Sequence, residues 1–155
     1  MVINRSVPAG TVLPHLTYRD VSAASAWLAG VFGFTEYYRY GPPGAPSGAQ
    51  MYLGDAWIML DTGDTGQKTP AELGYGTQSL TVFIPDVDAH YRKAKSAGAT
   101  IVEDLHETIY GERQDGARDL DGHHWLFSAH ARDVSPAEWG ATITSQPRNL
   151  PSGRG

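Results

Sequence analysis

The sequence predicts an α+β fold made of two tandem units, each ordered strand, helix, strand, strand, strand. Its landmarks recur at offsets of about 65 to 68 residues, and such self-similarity is typical of a duplicated unit. Each copy also has a Gly-containing turn that leads into a Trp-led apolar strand. A length of 155 residues suits one compact domain or two small fused units. The matched landmarks are Asp20-Val21 with Asp86-Val87, Gly33-Phe34-Thr35 with Gly98-Ala99-Thr100, and Trp57 with Trp125.

The first unit begins with an apolar strand and a capped helix. Asp20 or Ser22 provides the N-cap, and Gly33 ends the helix. Trp27 and Phe32 belong to the apolar stripe of this helix and are predicted to lie in the core. The predicted bounds are 1–10 for an N-terminal lead-in, 11–62 for the unit, and 12–18, 35–40, 49–53 and 56–61 for its strands.

The second unit repeats this order after a polar, Gly-rich linker. Asp86 or Asp88 caps its helix, and Gly98 ends it. A short capped helix over residues 135–139 is predicted to precede a mobile tail. The predicted bounds are 63–77 for the linker, 78–130 for the unit, 78–84, 100–103, 109–118 and 123–129 for its strands, and 131–155 for the short helix and tail.

The composition excludes several classes of protein. The chain contains no Cys, so it has neither disulfides nor thiolate metal sites. Its net charge is −5 and it has no basic run, which argues against nucleic acid as a partner. No apolar run approaches the roughly 18 residues of a membrane span. The N-terminus lacks the pattern of a signal peptide. These observations predict a soluble, cytoplasmic protein.

The order and spacing of the two units resemble the vicinal oxygen chelate superfamily, which includes glyoxalases, bleomycin-resistance proteins and extradiol dioxygenases. The resemblance implies curved mixed sheets around a cavity, helices outside, and a homodimer. Enzymes of this family bind a divalent metal through His, Gln or Glu side chains of the first and last strands of each unit. Members that only hold a drug in the cavity lack these metal ligands. The resemblance covers about residues 11–130 and rests on Ala26-Trp27-Leu28 through Phe32-Gly33-Phe34, Asp86-Val87-Asp88, Ala97-Gly98-Ala99, and Arg118-Asp119-Leu120-Asp121-Gly122-His123.

The ligand registers implied by this resemblance contain no side chain that first-row metals prefer. They are Leu13 and Ser79 in the first strands, Ile58 and Leu126 in the last strands, and Met59 or Phe127 if the register slips by one residue. Aliphatic side chains at these registers imply an apolar pocket, the kind that holds a drug-sized molecule. The sequence therefore predicts no metal or other cofactor, with a divalent metal as the alternative.

Polar candidates lie beside these registers. His15 and His124 fall on the same strand faces as the implied ligand positions, and could bind a metal or transfer protons. Alternatively, each is a hydrogen-bonded or rim histidine. Glu112 could act as a base and Arg113 could bind a carboxylate or phosphate, or the two contribute to an ion pair at a sheet edge. The remaining histidines are predicted to be solvated at a turn, for His123, or at the surface, for His90, His106 and His130.

Aromatic side chains provide a second set of candidates. Those that could stack on a planar ligand are Tyr52, Trp57, Tyr75 and Tyr110. Trp57 alternates with Ile58, so only one of them faces the cavity. Packing against a helix is the competing prediction for both Trp57 and Trp125, because large aromatic side chains usually serve the core.

These observations support two functional hypotheses. The first is a binding protein that sequesters a small aromatic or amphipathic molecule without metal, as in resistance proteins. The alternative is a lyase or isomerase that uses a shifted metal site or metal-free acid–base catalysis by His15, His124 or Glu112. A scaffold that binds a protein partner is a third class. The predicted ligand-binding residues are Leu13, His15, Tyr52, Trp57, Ile58, Tyr110, Arg113, His124 and Leu126.

Overall fold

The computed structural model describes residues 12–63 and 66–147. The predicted lead-in at 1–10 and the final part of the predicted tail, 148–155, lie outside these described residues. The first unit comprises strands β1 (His15–Thr17), β2 (Thr35–Tyr40), β3 (Gly48–Leu53) and β4 (Ala56–Asp61), and helix α1 (Val21–Trp27), which continues as a π-helical turn over Leu28–Phe32.

The second unit repeats this arrangement. It comprises β5 (Ser79–Phe83), α3 (Val87–Ser96), β6 (Thr100–Glu107), β7 (Glu112–Arg118) and β8 (His124–His130), and a short helix, α2 (Pro70–Leu73), lies between the units. The sheets have the matching orders β1-β4-β3-β2 and β5-β8-β7-β6. In each sheet the first and last strands of the unit pair in parallel, and the other pairs are antiparallel. The predicted pair of βαβββ units is confirmed.

Each helix packs on one face of its own sheet, α1 on β3 and β4, and α3 on β6, β7 and β8. Among the described residues, α1 and α3 each leave the opposite face of their own sheet open. The N-caps are Asp20 and Asp86, whose carboxylates accept hydrogen bonds from backbone N–H groups three residues later, each at 3.0 Å. Gly33 ends the first helix with φ of 85°, a conformation that favours Gly.

The predicted strand β6 is longer than the sequence indicated, since it runs to Glu107 rather than to residue 103. It is an edge strand of its sheet, and its pairing with β7 shifts register twice. Such irregularities are common at sheet edges, and side-chain burial still alternates along the strand from Thr100 to Leu105.

The apolar core joins the two units through an aromatic cluster. The ring of Phe32 lies 4.8 Å from that of Phe127 and 5.9 Å from that of Trp125, centroid to centroid. The predicted core positions of Phe32 and Trp125 are confirmed, since both are 0% exposed. His90 was predicted at the surface, but its ring contacts Phe127 at 4.1 Å and its Nε2 donates to the carbonyl oxygen of Phe32 at 2.8 Å. Burial lowers the pKa of His90. The neutral form of its imidazole is therefore favoured, and this form can donate the hydrogen bond to Phe32.

The segment predicted as a linker is packed against the second unit. Thr69 and Glu72 form a capping box that begins α2. The N–H of Ala71 then donates to the carbonyl oxygen of Asp121 at 2.9 Å. A Cβ added at Gly122 would lie 2.8 Å from that nitrogen, and Gly122 has φ of 87°. The turn between β7 and β8 therefore needs Gly at this position, both for its backbone angle and for the approach of α2.

Asp119 ties the same turn to the first unit. Its carboxylate accepts hydrogen bonds from the Tyr18 hydroxyl at 2.7 Å and from Trp125 Nε1 at 3.0 Å. His123 was predicted to be solvated, but its Nε2 donates to the carbonyl oxygen of Thr17 at 2.7 Å.

Within the part of the chain that the structure describes, no helix is long and apolar enough to cross a membrane.

Candidate functional site

The candidate site lies on the open face of the first sheet, which is the face away from α1. Ala49, Met51, Ile58 and Leu60 belong to the buried core on the covered face, so the residues that alternate with them face the other way. Strand pairing arranges the open-face residues in rows across the sheet: His15, Met59, Gln50 and Tyr38 in one row; Thr17, Asp61, Gly48 and Tyr40 in the next; and Trp57 with Tyr52 on the other side.

Aromatic rings dominate one side of this open face. The ring centroid of Trp57 lies 4.8 Å from that of Tyr52, with the rings tilted by 36°. The Tyr37 ring meets the Trp57 ring edge-on at 5.9 Å. The pairing of β2 with β3 shifts register between Glu36 and Tyr38, and such an irregularity lets neighbouring side chains reach one face. Tyr37 is 47% exposed, so this aromatic surface is accessible from solvent.

The placement of Trp57 corrects the sequence-based match between the two units. Trp57 contacts Tyr52 on the open face, whereas Trp125 is 0% exposed in the core. The predicted helix packing is therefore right for Trp125 and wrong for Trp57. Ile58 was predicted on the cavity face, but it is 2% exposed within the core cluster. Met59, its neighbour in sequence, takes the open-face position.

Gln50 lies at the centre of the open face and was not identified from the sequence. It pairs with Met59 on one side and Tyr38 on the other. Its side chain is 0% exposed, and neither its Oε1 nor its Nε2 has a hydrogen-bond partner among the described residues. The alternation of β3 around Ala49 and Met51 is the signal that could have placed Gln50 here.

A polar cavity of about 640 Å³ lies at the other side of the open face, across the row of Gln50 and Met59 from Tyr52 and Trp57. Within it, His15 Nδ1 lies 3.5 Å from Asp61 Oδ2. Thr17 donates from Oγ1 to Gln67 Oε1 at 3.2 Å. The cavity is lined by His15, Thr17, Tyr40, Asp61, Gln67 and Lys68, among others. The cavity therefore offers a His–Asp pair and one Lys ammonium, with the ring of Tyr40 in its wall.

A smaller cavity, of about 190 Å³, brings His15 and His124 together between the two units. Tyr75 and His123 also line it. His124 Nε2 is buried there without a hydrogen-bond partner in the part of the chain described. Leu126 shares the open face of the second sheet with His124, because Trp125 and Phe127 between and beyond them are buried in the core.

Arg113 and Glu112 point to opposite faces of the second sheet. The guanidinium of Arg113 contacts both carboxylate oxygens of Asp88 on α3, at 2.8 to 3.2 Å. Arg113, predicted as a ligand-binding residue, therefore lies on the helix side in an ion pair. Glu112 faces a separate cavity of about 450 Å³, where its Oε1 lies 2.9 Å from His130 Nδ1.

The remaining predicted residues lie at the margins. Tyr110 lines the cavity of Glu112, and its hydroxyl donates to Gln114 Oε1 at 3.3 Å. Leu13 is half-buried immediately before β1. His106 is exposed and His130 has an 80% exposed side chain, as predicted for surface histidines.

Few His, Asp and Glu side chains come together among the described residues. Across 12–63 and 66–147, no group of three or more His, Asp or Glu side chains is arranged to hold a metal ion. The His15–Asp61 pair supplies two donors, and its neighbour Met59 offers a thioether, which suits softer metals than those of hydrolytic or isomerising sites.

The sequence matches known proteins over most of its length. The model of the Glyoxalase/Bleomycin resistance protein/Dioxygenase superfamily matches residues 10–127. An uncharacterized protein from Mycobacterium bovis is 31% identical over 140 residues, which cover 86% of this chain and 91% of that protein.

Two solved structures show the same architecture. TioX from Micromonospora sp. ML1 has 33% sequence identity and a TM-score of 0.67, and the match covers 79% of this chain and 99% of TioX. TnmS3, an antibiotic binding protein from Streptomyces sp. CB03234, has 18% identity and a TM-score of 0.61, with 82% and 99% covered. The latter likeness shows the fold alone. By its family match and its relatives, the chain belongs to the Glyoxalase/Bleomycin resistance protein/Dioxygenase superfamily.

Proposed function

We propose that the protein binds a small, planar aromatic or amphipathic molecule on the open face of the first sheet and sequesters it without metal or turnover. The observations that carry this proposal are the aromatic surface of Tyr37, Tyr52 and Trp57 and, across the row of Gln50 on the same face of the sheet, a cavity of about 640 Å³. Aromatic rings that are reached from solvent suit stacking with a planar ligand. TnmS3 shares the fold and is an antibiotic binding protein, so this architecture is compatible with such a role.

We also propose that the protein acts as a cytoplasmic homodimer. Phe83 in β5 is 56% exposed, and it pairs with Ser128 on the open face of the second sheet. A second copy of the chain that covers Phe83 would remove this exposed apolar side chain from water. Sedimentation equilibrium tests the dimer, and a monomer at micromolar concentration would contradict it.

Calorimetric titration with the planar probe 1,4-dihydroxyanthraquinone tests the binding proposal. We expect the unaltered protein to bind it, and Trp57→Ala to weaken binding by about tenfold or more, because one stacking surface is lost. Trp139→Ala is the matched control, since Trp139 lies in a short 3-10 helix outside the open face. Equal affinities for the parent and Trp57→Ala would contradict the proposed location.

Gly48→Ala is expected to weaken the same binding by about threefold or more. A Cβ at this position would lie 2.3 Å from the ring of Tyr40, so the ring must leave its place over the sheet and move into the ligand's space. Gly48 does not have a positive φ, so the backbone accepts Ala. Calorimetry measures the change. The control is Gly44→Ala in the preceding loop, where an added Cβ meets no described atom within 4 Å, and equal affinities for the two variants would refute the expectation.

A second candidate function is metal-free acid–base catalysis at the same cavity. It is favoured by the 3.5 Å separation between His15 Nδ1 and Asp61 Oδ2, because a carboxylate beside one ring nitrogen orients the other to accept a proton. Mass spectrometry of the recovered probe distinguishes the two functions. A chemically altered probe that is not formed with His15→Gln would favour catalysis over sequestration.

A further inference from the structure

The buried amide of Gln50 is a polar group that the fold leaves without a partner. Gln50 is 0% exposed, and both its Oε1 and its Nε2 lack hydrogen bonds among the described residues. Burial of an unpaired amide costs free energy, and most buried polar groups in proteins are therefore paired. The position of Gln50 thus works against stability and calls for another explanation.

In the second sheet, a buried glutamine on the open face has hydrogen-bond partners for its side-chain amide. Gln114, on the open face of β7, accepts from the Ser128 hydroxyl at 2.8 Å and donates to Glu103 at 3.1 Å. Its buried side chain belongs to a hydrogen-bonded network. Among the described residues, the Gln50 amide has no such hydrogen-bond partner, and the residues paired with Gln50 across the strands are Met59 and Tyr38.

We infer that Gln50 anchors the ligand through a paired donor and acceptor, so that the ligand is a planar ring system with a lactam, imide or cis-amide edge. A carboxamide presents one acceptor and one donor side by side. Its complement is an edge with N–H and C=O adjacent, which forms two hydrogen bonds in one plane. The inference deepens the proposed function and rests on it.

The surroundings of Gln50 favour an uncharged ligand edge. The residues paired with it are Met59 and Tyr38, which carry no charge, and a buried ion beside the amide would lack a counter-charge. The rings of Tyr52 and Trp57 on the same face provide the flat surface that a ring system requires.

Ligand entry requires a neighbouring side chain to move, because Gln50 is fully covered. Met59 is the adjacent open-face residue and is 8% exposed. Its unbranched thioether chain adapts readily to a new neighbour. Displacement of the Met59 side chain would therefore give a bound ring access to the amide.

A matched pair of probes tests the inference by calorimetry. Quinolin-2(1H)-one carries the lactam edge, and 2-methoxyquinoline keeps the two rings but lacks the N–H donor. We expect the parent protein to bind the lactam about tenfold more tightly than the methoxy compound. Gln50→Met, which conserves volume and removes the amide, is expected to bind both probes alike.

Thermal unfolding without ligand gives an independent readout. Gln50→Met is expected to raise the midpoint by a few degrees, because it removes an unpaired buried amide. Gln114→Met is the matched control and is expected to lower the midpoint, because it leaves Ser128 and Glu103 without their partner. The control variant is expected to keep the parent's preference for the lactam.

The outcomes separate failure of the inference from failure of the proposed function. If neither quinoline nor the anthraquinone probe binds the parent, the proposed function is wrong and the inference falls with it. If the parent binds both quinolines equally, and Gln50→Met does the same, the anchor is wrong while binding on the aromatic surface stands. If Gln50→Met dissociates a dimer, a second copy of the chain occupies the amide, and the inference is also overturned.

Discussion

Asp119→Ala is expected to lower the free energy of unfolding by about 4 kcal/mol or more, because it leaves several buried hydrogen-bond donors without an acceptor at once. The carboxylate receives the Tyr18 hydroxyl and Trp125 Nε1 on Oδ2. On Oδ1 it receives the backbone N–H groups of Asp121 and His123. Tyr18 and Trp125 are both 0% exposed, so water is poorly placed to replace the lost acceptor.

Urea unfolding at neutral pH measures this effect. A loss of about 4 kcal/mol is a large part of the typical 5 to 15 kcal/mol stability of a domain, so we expect a strongly reduced midpoint. Asp55→Ala, an exposed carboxylate in the other hairpin turn, is the control and should change the stability by no more than about 0.5 kcal/mol. A loss below about 1 kcal/mol for Asp119→Ala would show that this residue does not hold the two units together.

The fold was predictable because its signals are local. Asp20 and Asp86 cap their helices through side-chain contacts only three residues long, and Gly33 ends its helix through its own backbone angle. Such short-range chemistry needs no knowledge of the rest of the molecule. The recurrence of these signals then gave the two units and their order.

The candidate site was less predictable because it depends on which way each strand faces. Gln50 pairs with Met59, nine positions later, whereas Gly116 pairs with Leu126, ten positions later. The paired residues named here are therefore separated by eight residues in the β3–β4 hairpin and by nine residues in the β7–β8 hairpin. A shift of one residue reverses the face of every side chain in a strand. For that reason Trp57 and Trp125, which match in sequence, lie on opposite faces.

The polar residues show the same dependence on tertiary structure. His90 and His123 have ordinary surface-like sequence surroundings, yet each donates a hydrogen bond to a backbone carbonyl of the other unit. Gln50 carries no sequence motif at all. Its significance comes from burial without a partner, which only the three-dimensional arrangement reveals.

Asp115 is expected to make the protein less stable as the pH rises from about 4 to about 7. Its carboxyl is 1% exposed on the covered face of β7 and has no hydrogen-bond partner among the described residues. Burial, with a contribution from the charge of Glu103, raises the pKa of Asp115 to about 7. The folded protein therefore keeps a proton that the unfolded chain releases near pH 4. Since the folded state binds more protons in this window, the stabilisation is complete below about pH 4 and is lost by about pH 7.

Asp115→Asn removes this dependence because its amide stays neutral at every pH. The variant is expected to match the parent at pH 4 and to exceed its stability at pH 8 by up to about 4 kcal/mol. Urea unfolding of both proteins between these pH values gives the difference, and subtraction of the two profiles removes the groups that they share. Asp55→Asn should show no such difference at any pH. A constant gap between Asp115→Asn and the parent across the range would mean that Asp115 ionises normally in the folded protein, and that its burial carries no proton-linked cost.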